Sequence, residues 1–172
     1  MTAETVVSRH FIDLPTGTIH YASCGSGPPV LLLHQTPRSW DEYRDVLPLL
    51  GRHFRAIAMD TPAFGDSAKP PPAHDSIERW AEAALSLADA LGLQRLAVVG
   101  HHTGAAIAIE LAAAFPTRVS AAVLSAAQRR QPPDRTLAPT PTATATCSSA
   151  SSSTRSRPGG ARPRATRWSR AT

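Results

Sequence analysis

The sequence predicts an α/β chain, a mostly parallel sheet with helices on both faces. Three observations predict it. Short, continuously apolar runs recur at Val30–Leu33, Phe54–Met59, Leu96–Val99 and Val119–Leu124, which suits strands buried on both faces rather than strands wet on one. Stretches with helical apolar spacing lie between them, an alternation that parallel sheets require for their crossovers. The segments that leave three of the runs are rich in His, Asp, Thr, Pro and Gly: His34–Pro37, Asp60–Ser67 and His101–Gly104. In such sheets the carboxyl ends of the strands hold the ligand.

In order along the chain, Val6–Asp13 and Thr18–Ala22 read as two strands joined by Leu14-Pro15-Thr16-Gly17, which has hairpin-turn chemistry. Gly25–Pro29 is a loop, and Val30–Leu33 is the first buried strand. A helix is expected from Ser39, where Ser39 and Glu42 have capping-box spacing. Trp40, Tyr43, Val46, Leu47 and Leu50 would face inward, with Gly51 at the stop. Phe54–Met59 follows as a strand. Asp75 and Glu78 suggest a second capping box, opening a helix with Ile77, Trp80, Ala84, Leu87, Ala88 and Leu91 inward and Gly92 at its end. Val119–Leu124 is a sixth strand, left as a possible exposed edge and so an aggregation risk.

The chain is organised around Leu96–Pro116. A short strand turns through Gly100-His101-His102-Thr103-Gly104 into an Ala/Ile/Leu-rich helix that stops at Phe115-Pro116. Strand, two-glycine turn and helix is the layout of a nucleophile elbow, which holds its central residue on a strained turn at the top of the sheet. One glycine permits the tight turn and the other lets the helix lie close to the strand it has left. The central residue here is His102, a residue type that tolerates a left-handed backbone.

Charge and composition divide the chain. Up to Asp134 there are eleven basic and thirteen acidic residues, and from Arg135 onward seven arginines and no acid, which together account for the net +5. The basic character therefore belongs to the tail. Residues 128–172 are rich in Arg, Pro, Ser, Thr, Ala and Gly, too poor in apolar surface to offset ordering entropy, so a disordered tail is expected after a core of residues 1–127. A solvated tail is favoured over a nucleic-acid arm, because only one Trp is present to stack on bases. The change of composition directly after a core strand is what a shifted reading frame in a GC-rich coding region would produce. Cys24 and Cys147 lie in unlike contexts and read as free thiols, in keeping with a cytoplasmic protein. No apolar run approaches the roughly 20 residues of a membrane span, and Met1–Arg9 lacks a signal-peptide layout. Oligomeric state is not legible.

Three motifs in this order resemble the α/β-hydrolase fold family, in the branch of esterases, epoxide hydrolases, haloalkane dehalogenases and cofactor-free haloperoxidases. LLLHQTPRSW at Leu31–Trp40 is similar to the family's H-G-x-P oxyanion loop, with Gln35 in place of Gly. DTPAFGDSAKP at Asp60–Pro70 is similar to its D-x-x-G-x-G-x-S-x-x-P loop, with Ala63 in place of the first Gly. VVGHHTGA at Val98–Ala105 is similar to the elbow, with His102 where Ser, Asp or Cys stands. The resemblance spans about residues 5–127 and implies a hydrolase-type sheet truncated after about its sixth strand.

The resemblance also implies roles. His102 would take the attacking position, and the backbone N–H groups of Thr36 and Thr103 would hold the oxyanion. His34 would orient the oxyanion loop from beneath. Gln35 and His101 would border the pocket, and Trp40 and Phe64 would line it or belong to the core. Asp60 reads as a loop-organising acceptor. The family places its acid and then its general-base His after the nucleophile. After His102 there is no His, and the acids are Glu110 and Asp134. The implied activity, hydrolysis of a small apolar ester- or epoxide-like substrate, is thus expected to be largely lost, with a ligand-binding pseudo-hydrolase or a truncated product as the alternative. No cofactor is implied. A metal site at His34, His101 and His102 is not expected, because the adjacent pair points apart at a sharp turn and no further ligand has the spacing.

Overall fold

The structure is a computed structural model, and it describes residues 6–70 and 75–127. Among the described residues six strands form one sheet: β1 (Ser8–Leu14), β2 (Gly17–Cys24), β3 (Pro29–Leu33), β4 (Arg55–Met59), β5 (Leu96–His101) and β6 (Val119–Ser125). The order across the sheet is β1-β2-β4-β3-β5-β6. β1 and β2 form an antiparallel hairpin, and β2 pairs antiparallel with β4. From β4 through β3 and β5 to β6 every pairing is parallel. All six strands predicted from the sequence are present, within one or two residues at each end.

Alternation along the buried strands sends side chains to two cores. Leu31 and Leu33 of β3, with Ile57 and Met59 of β4, pack under the helices α2 (Ile77–Ala90) and α3 (Thr103–Ala114). Val30, Leu32, Ala56 and Ala58 face the opposite side, toward Tyr43 and Leu47. Helices therefore cover both faces, as the uniformly apolar runs require.

The first helix departs from expectation. Its apolar spacing is realised as a 3-10 turn at Trp40–Tyr43, followed after a break by the single-turn helix α1 (Leu47–Leu50). Pro48 is the reason. It has no N–H to donate, and its ring would clash with the carbonyl four residues back, so a helix begun at Trp40 cannot run through it. Val46 is consequently exposed. The Ser39 capping box does not form: Ser39 makes no cap bond and its hydroxyl donates to Asp41. The second cap is also shifted. Ser76, not Asp75, is the N-cap of α2, its hydroxyl accepting from the Arg79 N–H at 3.3 Å. The inward face of α2 is otherwise as read, with Ala84, Leu87 and Ala88 buried and Ile77, Trp80 and Leu91 packed at the core's margin.

β6 lies at one edge of the sheet, with Val123 58% and Leu124 42% exposed. Among the described residues, no helix is long and apolar enough to cross a membrane. The tail reading for residues 128–172 falls outside the described residues.

Candidate functional site

Because β3, β4 and β5 run parallel, their carboxyl ends come together. Leu33 is level with Met59 on one side and Gly100 on the other. The His34–Pro37, Asp60–Ser67 and His101–Gly104 segments therefore leave the sheet side by side, as read from the sequence.

The elbow is formed by steric necessity. A Cβ on Gly100 would lie 2.2 Å from the Gly104 carbonyl oxygen, and one on Gly104 would lie 1.9 Å from that of Leu33. The second glycine thus lets α3 approach β3, the neighbouring strand, and not only the strand α3 has left. His102 sits between them at φ 51°, ψ −108°. The positive φ was expected, but this ψ lies outside the left-handed helical well, so the turn is strained by about 1–3 kcal/mol. Two hydrogen-bonding directions hold it. The His102 N–H donates to the Ser125 carbonyl at the end of β6, and the His102 carbonyl accepts from Ala105 at 3.1 Å in the first turn of α3.

Side chains from the loop after β3 and the elbow meet in two places. The hydroxyls of Thr36 and Thr103 are 2.9 Å apart, and Thr103 Oγ1 is 3.3 Å from His102 Nδ1. On the other contact, the Glu42 carboxylate spans both segments. One oxygen accepts from the Gln35 N–H at 3.1 Å, and the other lies 2.6 Å from His101 Nδ1. The Glu42 side chain is 13% exposed and that of His101 35%. Glu42, read from sequence as half of a capping box, is thus the carboxylate of the site.

His34 is fully buried under the loop that follows β3. Its Nε2 accepts from the Thr61 N–H at 3.0 Å, so Nδ1 carries the proton and donates to the Gln35 carbonyl at 2.8 Å. Burial holds this imidazole below its ordinary value, against the smaller opposing pull of the Gln35 carbonyl. A neutral ring of one tautomer locks the β3 loop to the β4 loop. Phe64 packs edge-on against His34 and, on its other side, against Trp80.

Trp40 stands apart from that contact. Its backbone N–H donates to Asp60 Oδ1 at 2.6 Å, and the guanidinium groups of Arg9 and Arg44 lie over its ring at 5.6 and 6.0 Å. Asp60 is the hub of a buried node. Its Oδ2 lies 2.8 Å from His20 Nδ1 and accepts from the Asp66 N–H at 2.9 Å, while the Ser67 hydroxyl donates to its backbone carbonyl. A Cβ on Gly65, which has φ 53°, would fall 2.0 Å from Asp60 Oδ2, so the carboxylate fits only beneath a glycine. Ala63 keeps a positive φ of 76° although it lacks glycine's freedom. The node also contains the donor group His20, Asp60 and Asp66, whose ligand atoms lie within 4.8 Å of one another. Arg9 fills that position. Its Nε donates to His20 Nε2 and its terminal nitrogen pairs with Asp66, so a cation of the chain itself stands where an ion would.

Sequence reasoning missed Glu42, His20 and Arg9. His20 carried a signal: it is a polar residue on the face of β2 that also buries Ala22 and Cys24. Glu42 carried an ambiguous one, since Ser-x-x-Glu serves either as a cap or by chance.

Comparison with known proteins bears on the family and the fold. A family model described as the alpha/beta hydrolase fold matches residues 28–145. The soluble epoxide hydrolase of Corynebacterium sp. (strain C12) is 36% identical over 109 residues, 63% of this chain and 38% of that protein. The 2-hydroxy-6-oxo-2,4-heptadienoate hydrolase of Pseudomonas putida is 38% identical over 106 residues, 60% of this chain and 38% of that protein. The solved structure of the epoxide hydrolase CorEH without ligand superposes with a TM-score of 0.67 at 32% identity, covering 69% of this chain and 42% of that one. The chain spans roughly two fifths of the length of these relatives.

Proposed function

This chain belongs to the α/β-hydrolase fold family, and from that premise we propose that it derives from hydrolases of small apolar ester- or epoxide-like substrates and retains their binding, with little or no turnover of the nucleophilic, triad type. The observation that carries this reading is the state of the elbow side chain. His102 Nδ1 is directed to the Thr103 hydroxyl, which meets the Thr36 hydroxyl of the opposite loop. The hydroxyl on that nitrogen is a neutral partner and does not push electron density into the ring as a carboxylate would.

The cradle itself supports binding. The Thr36 and Thr103 backbone N–H groups take the oxyanion positions of the family, at the start of a twelve-residue helix whose dipole favours negative charge. Phe64 beside His34 offers the apolar contact that an uncharged substrate needs.

Two measurements on the full chain test this. Titration calorimetry with a short-chain ketone isostere of an ester should show saturable binding, displaced by a small epoxide. Intact-mass measurement during incubation with an activated short-chain ester should show no adduct on His102. A stoichiometric acyl group on His102 would refute the reading, as would failure to bind the isostere.

A further inference from the structure

We propose that Glu42 and His101 form a proton-accepting pair at this site, with His101 as the general base and Glu42 as the residue that positions it. The proposal rests on the binding reading above and adds to it a route for slow hydrolysis that does not pass through His102.

The contact geometry fixes the orientation of the ring. An ionised carboxylate only accepts hydrogen bonds. Glu42 already accepts from the Gln35 N–H with one oxygen, and its other oxygen is 2.6 Å from His101 Nδ1. Nδ1 therefore carries the proton, and the lone pair of His101 is on Nε2. No hydrogen bond to Nε2 is found among the described residues, and the side chain is 35% exposed. An imidazole of one tautomer, with a carboxylate behind it and an open nitrogen ahead, is the form in which His accepts a proton from water.

Its place in the fold is equally defined. His101 ends β5 and directly precedes the elbow residue, and Gln35, held by the same carboxylate, directly precedes Thr36. One side chain thus sets the base against the loop that carries one oxyanion donor and the strand that leads to the other. All of these groups lie between residues 34 and 104, so the pair owes nothing to the positions where the family carries its acid and His.

The chemistry balances without a covalent intermediate. An ester binds with its carbonyl oxygen at the Thr36 and Thr103 N–H groups. A water gives a proton to His101 Nε2 as its oxygen bonds to the carbonyl carbon, and the C=O π pair moves onto the oxygen. When the C=O re-forms, the bond to the alkoxy oxygen breaks and that oxygen takes the proton from Nε2. One ester and one water become one acid and one alcohol, and the imidazole returns to its starting form.

Ester hydrolysis by the full chain tests the pair, with Glu42→Gln, His101→Gln and, as a control for adventitious imidazole catalysis, the exposed His53→Ala. Melting curves establish that each variant is folded. The native chain should hydrolyse an activated short-chain ester above the buffer rate. Both site variants should lose about 10²-fold in kcat with KM little changed, the signature of a lost base rather than of a lost pocket, and His53→Ala should match the native chain. Native-like kcat in folded Glu42→Gln and His101→Gln would overturn the proposal. So would an absence of hydrolysis in a chain that still binds the ketone isostere, a result that leaves the binding reading in place. Loss of isostere binding in the native chain would instead remove the binding reading, and calorimetry reports that separately.

Discussion

Among the described residues are two carboxylate–imidazole pairs of similar length, Asp60 with His20 at 2.8 Å and Glu42 with His101 at 2.6 Å. Their surroundings differ in every respect that decides what such a pair does. Asp60 and His20 are fully buried. The Asp60 carboxylate is saturated by two backbone N–H groups besides the imidazole, and the far nitrogen of His20 is closed by Arg9. Protonation of His20 on its far nitrogen would displace Arg9. Glu42 and His101 are partly exposed, and the far nitrogen of the ring meets no partner among the described residues. The contrast teaches that distance alone does not mark a functional pair. What lies on the second nitrogen, and how much water reaches it, separates a rivet from a reactive group.

Substitutions should separate the two regions by the size and kind of their effects. The largest effect is expected where backbone meets backbone. Gly104→Ala places a Cβ 1.9 Å from the Leu33 carbonyl, and neither partner is a flexible side chain. A loss of at least ~3 kcal/mol in denaturant melts is expected, enough to unfold a marginal domain. Next comes the buried node. Asp60→Ala leaves the Trp40 and Asp66 N–H groups and His20 without their acceptor, with an expected loss of about 3–4 kcal/mol. Glu42→Gln at the partly exposed pair should cost only about 1 kcal/mol, while its effect on chemistry is large. If Glu42→Gln were as destabilising as Asp60→Ala, the distinction between rivet and reactive group would fail.

Two smaller effects sharpen the picture. His34 is held below its ordinary value of 6.5 by burial. The unfolded chain therefore binds this proton at a higher pH than the folded chain does, and its contribution to stability is complete above about pH 6.5 and lost as pH falls through that value toward the folded-state pKa. Melting temperature should drop across that window, and His34→Phe should flatten this part of the profile at the cost of the Thr61 N–H acceptor. The smallest expected change is a gain. Ala63→Gly relieves a side chain from φ 76°, worth roughly 1 kcal/mol against a similar entropic cost of the glycine, for a net effect within about 0.5 kcal/mol of zero and on the stabilising side.

Most of the fold was legible because its signals are local. Four apolar runs marked the parallel strands, and Gly100 and Gly104 marked the elbow, since no other residue fits either backbone approach. The helix from Ser39 was misread because apolar spacing was weighed above Pro48, whose missing N–H ends a helix whatever the spacing. The candidate site was half legible. Thr36, His34 and Thr103 follow from loop motifs, and the structure brings Thr36 and Thr103 into contact. Glu42 and His101 are 59 residues apart in the chain, and their pairing depends on the register of β3 with β5, which no short-range pattern encodes. The same holds for His20 and Asp60, 40 residues apart.

The tautomers of the two histidines test the distinction directly. Long-range 1H–15N correlation spectra of the full chain at about pH 8, above the ordinary imidazole value near 6.5, report which ring nitrogen carries the proton. His101 should show a protonated Nδ1 and a lone pair on Nε2. That pattern should invert in Glu42→Gln, whose amide can donate to Nδ1, while His20 stays unchanged with its proton on the nitrogen facing Asp60. A native His101 with its proton on Nε2, or a His101 pattern indifferent to Glu42→Gln, would contradict the assignment of this pair as the open, proton-accepting one.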